Sequence, residues 1–233
     1  MTNKEEPKPA GSKSSRFIKI ALFIVFMALI FIAAGTLDWP EMWFFLGFYV
    51  TTMTVLIIWL KKHDPGLLKE RMSVGKDVKS WDKTIIRVYT MLLLIMFLIA
   101  PLDAIRFRWS HVPLVLKGIA YLFIIFSWIL GFWAFRENSY LSQFVRIQAD
   151  RGHRGCTTGP YKHIRHPMYL AVILTILCLP LVLGSLWAFL PGSLIVALFV
   201  LRTSMEDKTL RNELPGYAEY AEKVTSKLVP KVW

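Results

Sequence analysis

The residues best suited to chemistry lie in two short polar segments of an otherwise apolar chain. The first reads Gly159-Pro160-Tyr161, then Arg165-His166-Pro167-Met168-Tyr169. Pro167 suits the first turn of a helix, where its missing N–H costs little. His166 then stands at a helix N-terminus, where free N–H groups and the dipole favour anionic ligand groups. The second segment opens with Arg202 and Glu206, an i,i+4 pair that shares one face of a helix. Such a pair is either a helix salt bridge worth about 0.3–0.5 kcal/mol, or a cation and a carboxylate offered to a ligand. An arginine can grip a carboxylate by two parallel hydrogen bonds. A metal is not expected. His153, His163 and His166 gather in one stretch, but no acidic or Cys ligand completes a recognisable pattern, and Pro167 breaks any helix that would align them.

The rest of the chain must hold these segments, and its composition says how. Of 233 residues, 55% are hydrophobic and only 19% charged, against ~45–50% and ~25% in a soluble domain. This excludes an ordinary soluble enzyme and a disordered protein. Two cysteines, Cys156 and Cys178, cannot make a disulfide framework. The apolar residues form blocks. Residues 20–37, 42–60, 85–102 and 112–135 each approach the ~20 needed to cross ~30 Å of hydrocarbon. The first block exceeds the ~7–15 apolar residues of a signal peptide, so it reads as a span. Residues 168–201 carry no Lys, Arg, Asp or Glu for 34 positions. One helix of that length would run about 51 Å, and two full spans need about 40 residues. We therefore expect a hairpin of two short helices, turning near Gly184-Ser185 with Pro180 and Pro191 beside the tip.

The expected fold is an all-α integral membrane protein of four transmembrane helices plus a C-terminal helical hairpin. Residues 1–16 are expected as a disordered cytoplasmic tail, 17–135 as the four-span transmembrane region, and 136–233 as the region that carries both polar segments and the membrane hairpin 168–201. The net charge of +12 could suggest nucleic acid, but its placement says otherwise. Of 28 lysines and arginines, 24 fall in the segments assigned to the cytoplasm and two in those outside. That bias is the positive-inside rule and puts both termini in the cytoplasm. Nucleic acid is not an expected partner; membrane lipids are. The segments 136–166 and 202–233 lie on one face, brought together by the hairpin. Most basic residues there serve as interfacial snorkels. Tyr217 and Tyr220 are more often interface anchors than catalysts. Neither a GxGxxG nor a Walker A sequence occurs.

Gly159-Pro160-Tyr161, Arg165-His166-Pro167-Met168-Tyr169, a hydrophobic hairpin, Arg202 with Glu206, and Leu214-Pro215-Gly216-Tyr217 followed by Tyr220 occur in that order. Together they resemble the isoprenylcysteine carboxyl methyltransferase family, within the broader group of membrane phospholipid methyltransferases. The resemblance covers about 137–233. It implies an integral membrane enzyme that uses S-adenosyl-L-methionine and acts on a lipophilic or lipid-modified substrate. It also implies site roles. His153, Arg154, Gly155 and Cys156 supply mostly backbone contacts to the cofactor, and Tyr161 lines its pocket. His166, Pro167, Met168 and Tyr169 cover it, Glu206 binds it, and Arg202 faces the methyl acceptor. A cofactor-contacting glutamine of the family falls on Arg146 without a gap and on Gln148 with a two-residue deletion; we take Gln148. The expected acceptor is the carboxylate of a prenylated cysteine or a similar compound. A lipid amine and a small thiol are alternatives. A different reaction, NADPH-dependent reduction of the membrane sterol-reductase type, shares part of the C-terminal pattern. The basic and aromatic motif expected for the 2′-phosphate is missing.

Overall fold

A computed structural model describes residues 13–233 except 74 and 76. Of the expected N-terminal tail, residues 1–12 lie outside the described residues, and the first helix begins at Lys13. The helices are α1 (Lys13–Ala34), α2 (Pro40–His63), α3 (Pro65–Met72) and α4 (Ser80–Pro101). They continue with α5 (Leu114–Glu137), α6 (Pro167–Leu183), α7 (Phe189–Glu213) and α8 (Tyr217–Lys223). No strand occurs among the described residues.

Among the described residues four helices are long and apolar enough to cross a membrane: α2, α4 with its π-helical extension to Arg106, α5 and α7. Three of them are expected spans, while the first expected block is a shorter apolar helix, Ala21–Ala34, and α7 comes from the hairpin. Their outward faces are apolar, with Phe44, Leu122 and Leu190 each 64–68% exposed. In water such a surface would be a large unpaid hydrophobic patch; in hydrocarbon it is the natural boundary.

The hairpin forms as α6 and α7, but its arms are unequal, which corrects the expectation of two short helices. α6 has 17 residues, about 25 Å at ~1.5 Å per residue. α7 has 25 residues, because it does not stop at the first charge but runs on to Glu213. It can do so because Arg202 is neutralised inside the bundle, as described below. The turn falls at the expected place. Gly184 adopts φ +81°, a left-handed conformation that ends α6 and suits glycine.

A buried carboxylate fixes that tip. Asp103, in the π-helical turn after α4, is fully buried. Its Oδ2 accepts from Ser110 Oγ at 2.7 Å, Ser185 Oγ at 2.6 Å and the Trp187 amide at 3.1 Å. At the same end Lys117 of α5 pairs with Glu41 of α2 at 2.5 Å. α5 and α6 pack most extensively. Gly131 faces α6 here, and a Cβ there would meet Ala171 Cβ and Met168 Cε at 3.7 Å, ordinary van der Waals contact. The main core runs between α1, α2, α4, α6 and α7 around Ile30, Met96, Leu183 and Ile195, all 0% exposed. At the other end of the bundle α6 starts and α7 leaves, so the two polar segments converge there.

Candidate active site

A cavity of about 480 Å³ opens at that end, within the ~300–1,000 Å³ range of small-molecule sites. Most of the expected residues border it. His153, Gly155 and Cys156 come from the connection between α5 and α6, and Tyr161 from a 3₁₀ turn. His166, Met168 and Tyr169 come from the start of α6, and Arg202 and Glu206 from α7. Gln148, Arg154 and Pro167 do not border it.

Gln148 sits behind the wall, 0% exposed, its amide Nε2 donating to Tyr140 O at 2.7 Å and its Oε1 accepting from Arg151. The residue on the wall is Arg146, locked by Glu70 at 2.8 and 2.9 Å and by Asp150 at 3.1 Å. Hydrogen bonding to Glu70 holds its guanidinium firmly in the charged form. Pro167 stands at the N1 position of α6, as its ring geometry favours, with His166 as the cap residue. Gly159 has φ +56°, and a Cβ there would lie 2.4 Å from Glu137 Cγ, so only glycine fits this turn.

Arg202 and Glu206 share a helix face but do not pair. Arg202 is buried and turns to Asp82 at the start of α4, with Nε to Oδ1 at 2.7 Å and Nη2 to Oδ2 at 3.1 Å. Nη2 also donates to Gln143 O at 2.9 Å. Nη1 makes no hydrogen bond among the described residues. The guanidinium carbon lies 5.1 Å from the Tyr169 ring centroid. Glu206 accepts instead from the Tyr169 hydroxyl and has no cationic partner among the described residues. Tyr169 stacks parallel to His166 at 5.7 Å. Of the two readings of this pair, the helix salt bridge is not formed; Arg202 and Glu206 are two separate groups, a neutralised arginine and a carboxylate with spare charge.

The neighbouring residue takes the structural role. Asp207 is buried and binds Arg165 through Oδ1 at 2.7 Å and Oδ2 at 3.1 Å. Arg211 donates to its Oδ2 at 3.1 Å, the Tyr217 hydroxyl to its Oδ1 at 3.2 Å, and His166 Nε2 lies 3.4 Å away. Arg165 Nη1 also donates to Val224 O and Thr225 O at 2.5 and 2.8 Å. The amides of Arg165 and His166 donate to Ser226 O and Lys227 O. The C-terminal strand of chain thus pins the corner from which α6 starts. Arg165 is a buried strut, and Tyr217 is part of the same cluster rather than an interface anchor. Neither Asp82 nor Asp207 stood out in the sequence. Asp207 had one signal, its i,i+4 spacing to Arg211.

Three titratable groups on the wall, His153, Tyr161 and Cys156, are held neutral. Burial and the cations Arg146 and Arg151 push His153 down to about 4. Its Nδ1 lies 3.3 Å from the Gln148 amide, which donates to it. Burial raises the Tyr161 phenol, which accepts from Asn138 Nδ2 at 3.2 Å. Burial also raises the Cys156 thiol, so it is not an activated nucleophile. No cluster of three His, Cys, Asp or Glu side chains with metal-binding geometry occurs among the described residues.

A second cavity, about 590 Å³, is lined by α1, α2, α4, α5 and α6 and is almost wholly apolar. It shares Tyr49, Arg71, Tyr89, Met168 and Val172 with the first, so the two meet at a common wall.

No curated protein matches the chain. The family model of the isoprenylcysteine carboxyl methyltransferases matches residues 119–212. That stretch runs from α5 through the polar connection and the hairpin to the end of α7, the elements that build the polar cavity. Over residues 119–212 the chain is therefore similar to the isoprenylcysteine carboxyl methyltransferase family.

Proposed function

We propose that this membrane methyltransferase uses S-adenosyl-L-methionine to methylate a carboxylate on a lipophilic acceptor, such as a prenylated cysteine. The observation that carries the reading is Glu206, a carboxylate on the wall of the polar cavity with no cationic partner among the described residues. That cavity adjoins an apolar one. The polar cavity has the size for the cofactor, and Glu206 suits its positive charge. Bound there, the cofactor would supply a methyl group on a sulfonium sulfur. In-line transfer of that methyl to an acceptor oxygen, with the carbon–sulfur electron pair left on sulfur, would be the chemistry it supplies. No strong base is needed, so positioning supplies much of the rate. That agrees with a wall of neutral His153, Tyr161 and Cys156. Glu206 offsets the cofactor's charge. Tyr161, His166 and Tyr169 give it flat surfaces. Arg202, aligned by Asp82, keeps Nη1 for the acceptor.

Incubation with methyl-labelled cofactor and a prenylcysteine acid tests this. The expected product loses its label in mild base, as a methyl ester does. Label that is stable to base, or transfer only to lipid amines, overturns the carboxylate assignment.

The basic-residue bias further supports both termini and the cavity facing the cytoplasm. In a background lacking Cys156 and Cys178, Lys83→Cys should label from the cytoplasm and Asp38→Cys from outside. Both positions are exposed. The opposite pattern reverses the topology.

A further inference from the structure

Arg71 is the one charged residue bordering the apolar cavity among the described residues. It belongs to α3, outside the stretch that matches the family. α3 is short but firmly placed. Pro65 opens it, and the Asp64 carboxylate caps it by accepting from the Leu67 amide at 2.8 Å. Leu67 is 0% exposed and packs with Leu56, Leu60 and Phe135. Arg71 lies four residues on, so it follows Leu67 onto the inward face. Its guanidinium sits 4.7 Å from the Phe135 ring centroid, and Nη1 donates to Leu141 O at 2.9 Å. No carboxylate pairs with it among the described residues; its neighbour Glu70 is taken by Arg146 in a two-pronged pair. Burial, then repulsion from Arg202, lowers its pKa to about 10, so it remains a cation at neutral pH.

A half-buried cation without a counter-ion is costly unless something supplies one. In a membrane protein an ionisable group facing an internal cavity marks a ligand path. Arg71 stands at the shared wall of the two cavities, with apolar space on one side and Glu206 and Arg202 on the other. Arg202 already has Asp82 as its counter-ion, which leaves Arg71 as the cation at this junction that no carboxylate pairs with among the described residues.

We propose that Arg71 is the specificity-determining cation for the acceptor of the proposed reaction: it grips the acceptor's carboxylate at the junction, while the apolar tail takes the 590 Å³ cavity. The guanidinium fork matches a carboxylate in two hydrogen bonds, which a carboxamide cannot reproduce with charge. This selects acids over amines and neutral lipids. It deepens the methyltransferase reading, but acid binding at Arg71 does not itself require methyl transfer.

The test is equilibrium binding to the full-length protein in detergent, with S-farnesylcysteine capped at its amine as the probe. The acid is compared with its carboxamide, and S-adenosyl-L-methionine is titrated separately. Wild type should bind the acid roughly 10–100-fold more tightly than the carboxamide, the size of one charge-assisted interaction. Arg71→Gln should abolish that preference and leave S-adenosyl-L-methionine affinity unchanged. Arg71→Lys, which keeps the charge but not the fork, should retain part of the preference and guards against misfolding of the first variant. Equal binding of acid and carboxamide by wild type overturns the proposal. So does an acid preference that survives Arg71→Gln, or no binding of the acid at all. If wild type prefers the acid but binds no S-adenosyl-L-methionine, the methyltransferase reading fails while the assignment of Arg71 stands.

Discussion

At the hairpin tip, Asp103 is buried among neutral donors: two serine hydroxyls and one amide. Its Oδ1 has no partner among the described residues. At the opposite end of the bundle, Asp82 and Asp207 are equally buried, but each grips an arginine through both oxygens. The tip needs only to splice the end of α4 to the turn between α6 and α7. The other end has to hold cations beside a cavity without letting them take the place of a ligand. Pairing Arg202 with Asp82, and Arg165 with Asp207, fixes both guanidiniums and leaves Glu206 uncommitted. The comparison separates carboxylates that build the wall from the one that faces the space inside it.

The largest effects should come from breaking the wall. Asp207→Ala strands Arg165, and Asp82→Ala strands Arg202, both in buried positions. Removing one partner of a buried pair costs about 3–5 kcal/mol. Unfolding in detergent should show that loss in each variant. Glu206→Gln should behave differently. Its carboxylate supports no cation of the protein, so the unfolding midpoint should stay near wild type. Cofactor affinity should fall roughly 10–100-fold, the scale of a hydrogen bond to a charged group. If Glu206→Gln destabilises the fold as much as Asp207→Ala, the division between wall and ligand-facing carboxylates is wrong. Asp103→Asn keeps an acceptor for its three donors, so about 1 kcal/mol of stability should be lost, with ligand binding unaltered.

The smallest effect is one of pH. His153 stays neutral in the folded protein down to about 4, against an ordinary value of 6.5. Between those values the unfolded chain holds a proton that the native state lacks, so stability should decline as pH falls from about 6.5 to about 4. His153→Gln should flatten that slope when unfolding midpoints are compared across the range. An unchanged slope would mean that His153 is charged in the wall.

What the sequence made legible follows from how local each feature is. The apolar blocks, the turn at Gly184 and Pro167 at the start of α6 depend on neighbours a few residues away, and hydropathy and backbone restriction report them directly. Tyr161, His166, Tyr169 and Glu206 were singled out through the family resemblance, and all four border the cavity. The partners were not legible. Arg202 finds Asp82 across 120 residues, and Arg165 finds Asp207 across 42. A helix-local rule instead offers Arg202 the nearby Glu206. Adjacent residues on a helix point in different directions, so Glu206 and Asp207 have opposite roles that their order alone does not reveal. The same limit explains Gln148, which side-chain type favoured and packing turned away from the cavity. It also explains why α7 outran the expected hairpin: a charge ends an apolar run in sequence, but not in a bundle that supplies its counter-ion.

The central claim is that Glu206 faces a cationic methyl donor. Titrating the purified protein with S-adenosyl-L-methionine, its demethylated product and NADPH tests it most directly. The account predicts that wild type binds both methionine-derived ligands and not NADPH, and that Glu206→Gln weakens S-adenosyl-L-methionine most, since the product has lost the sulfonium charge. Binding of NADPH alone, or equal affinity for S-adenosyl-L-methionine in wild type and Glu206→Gln, would contradict it.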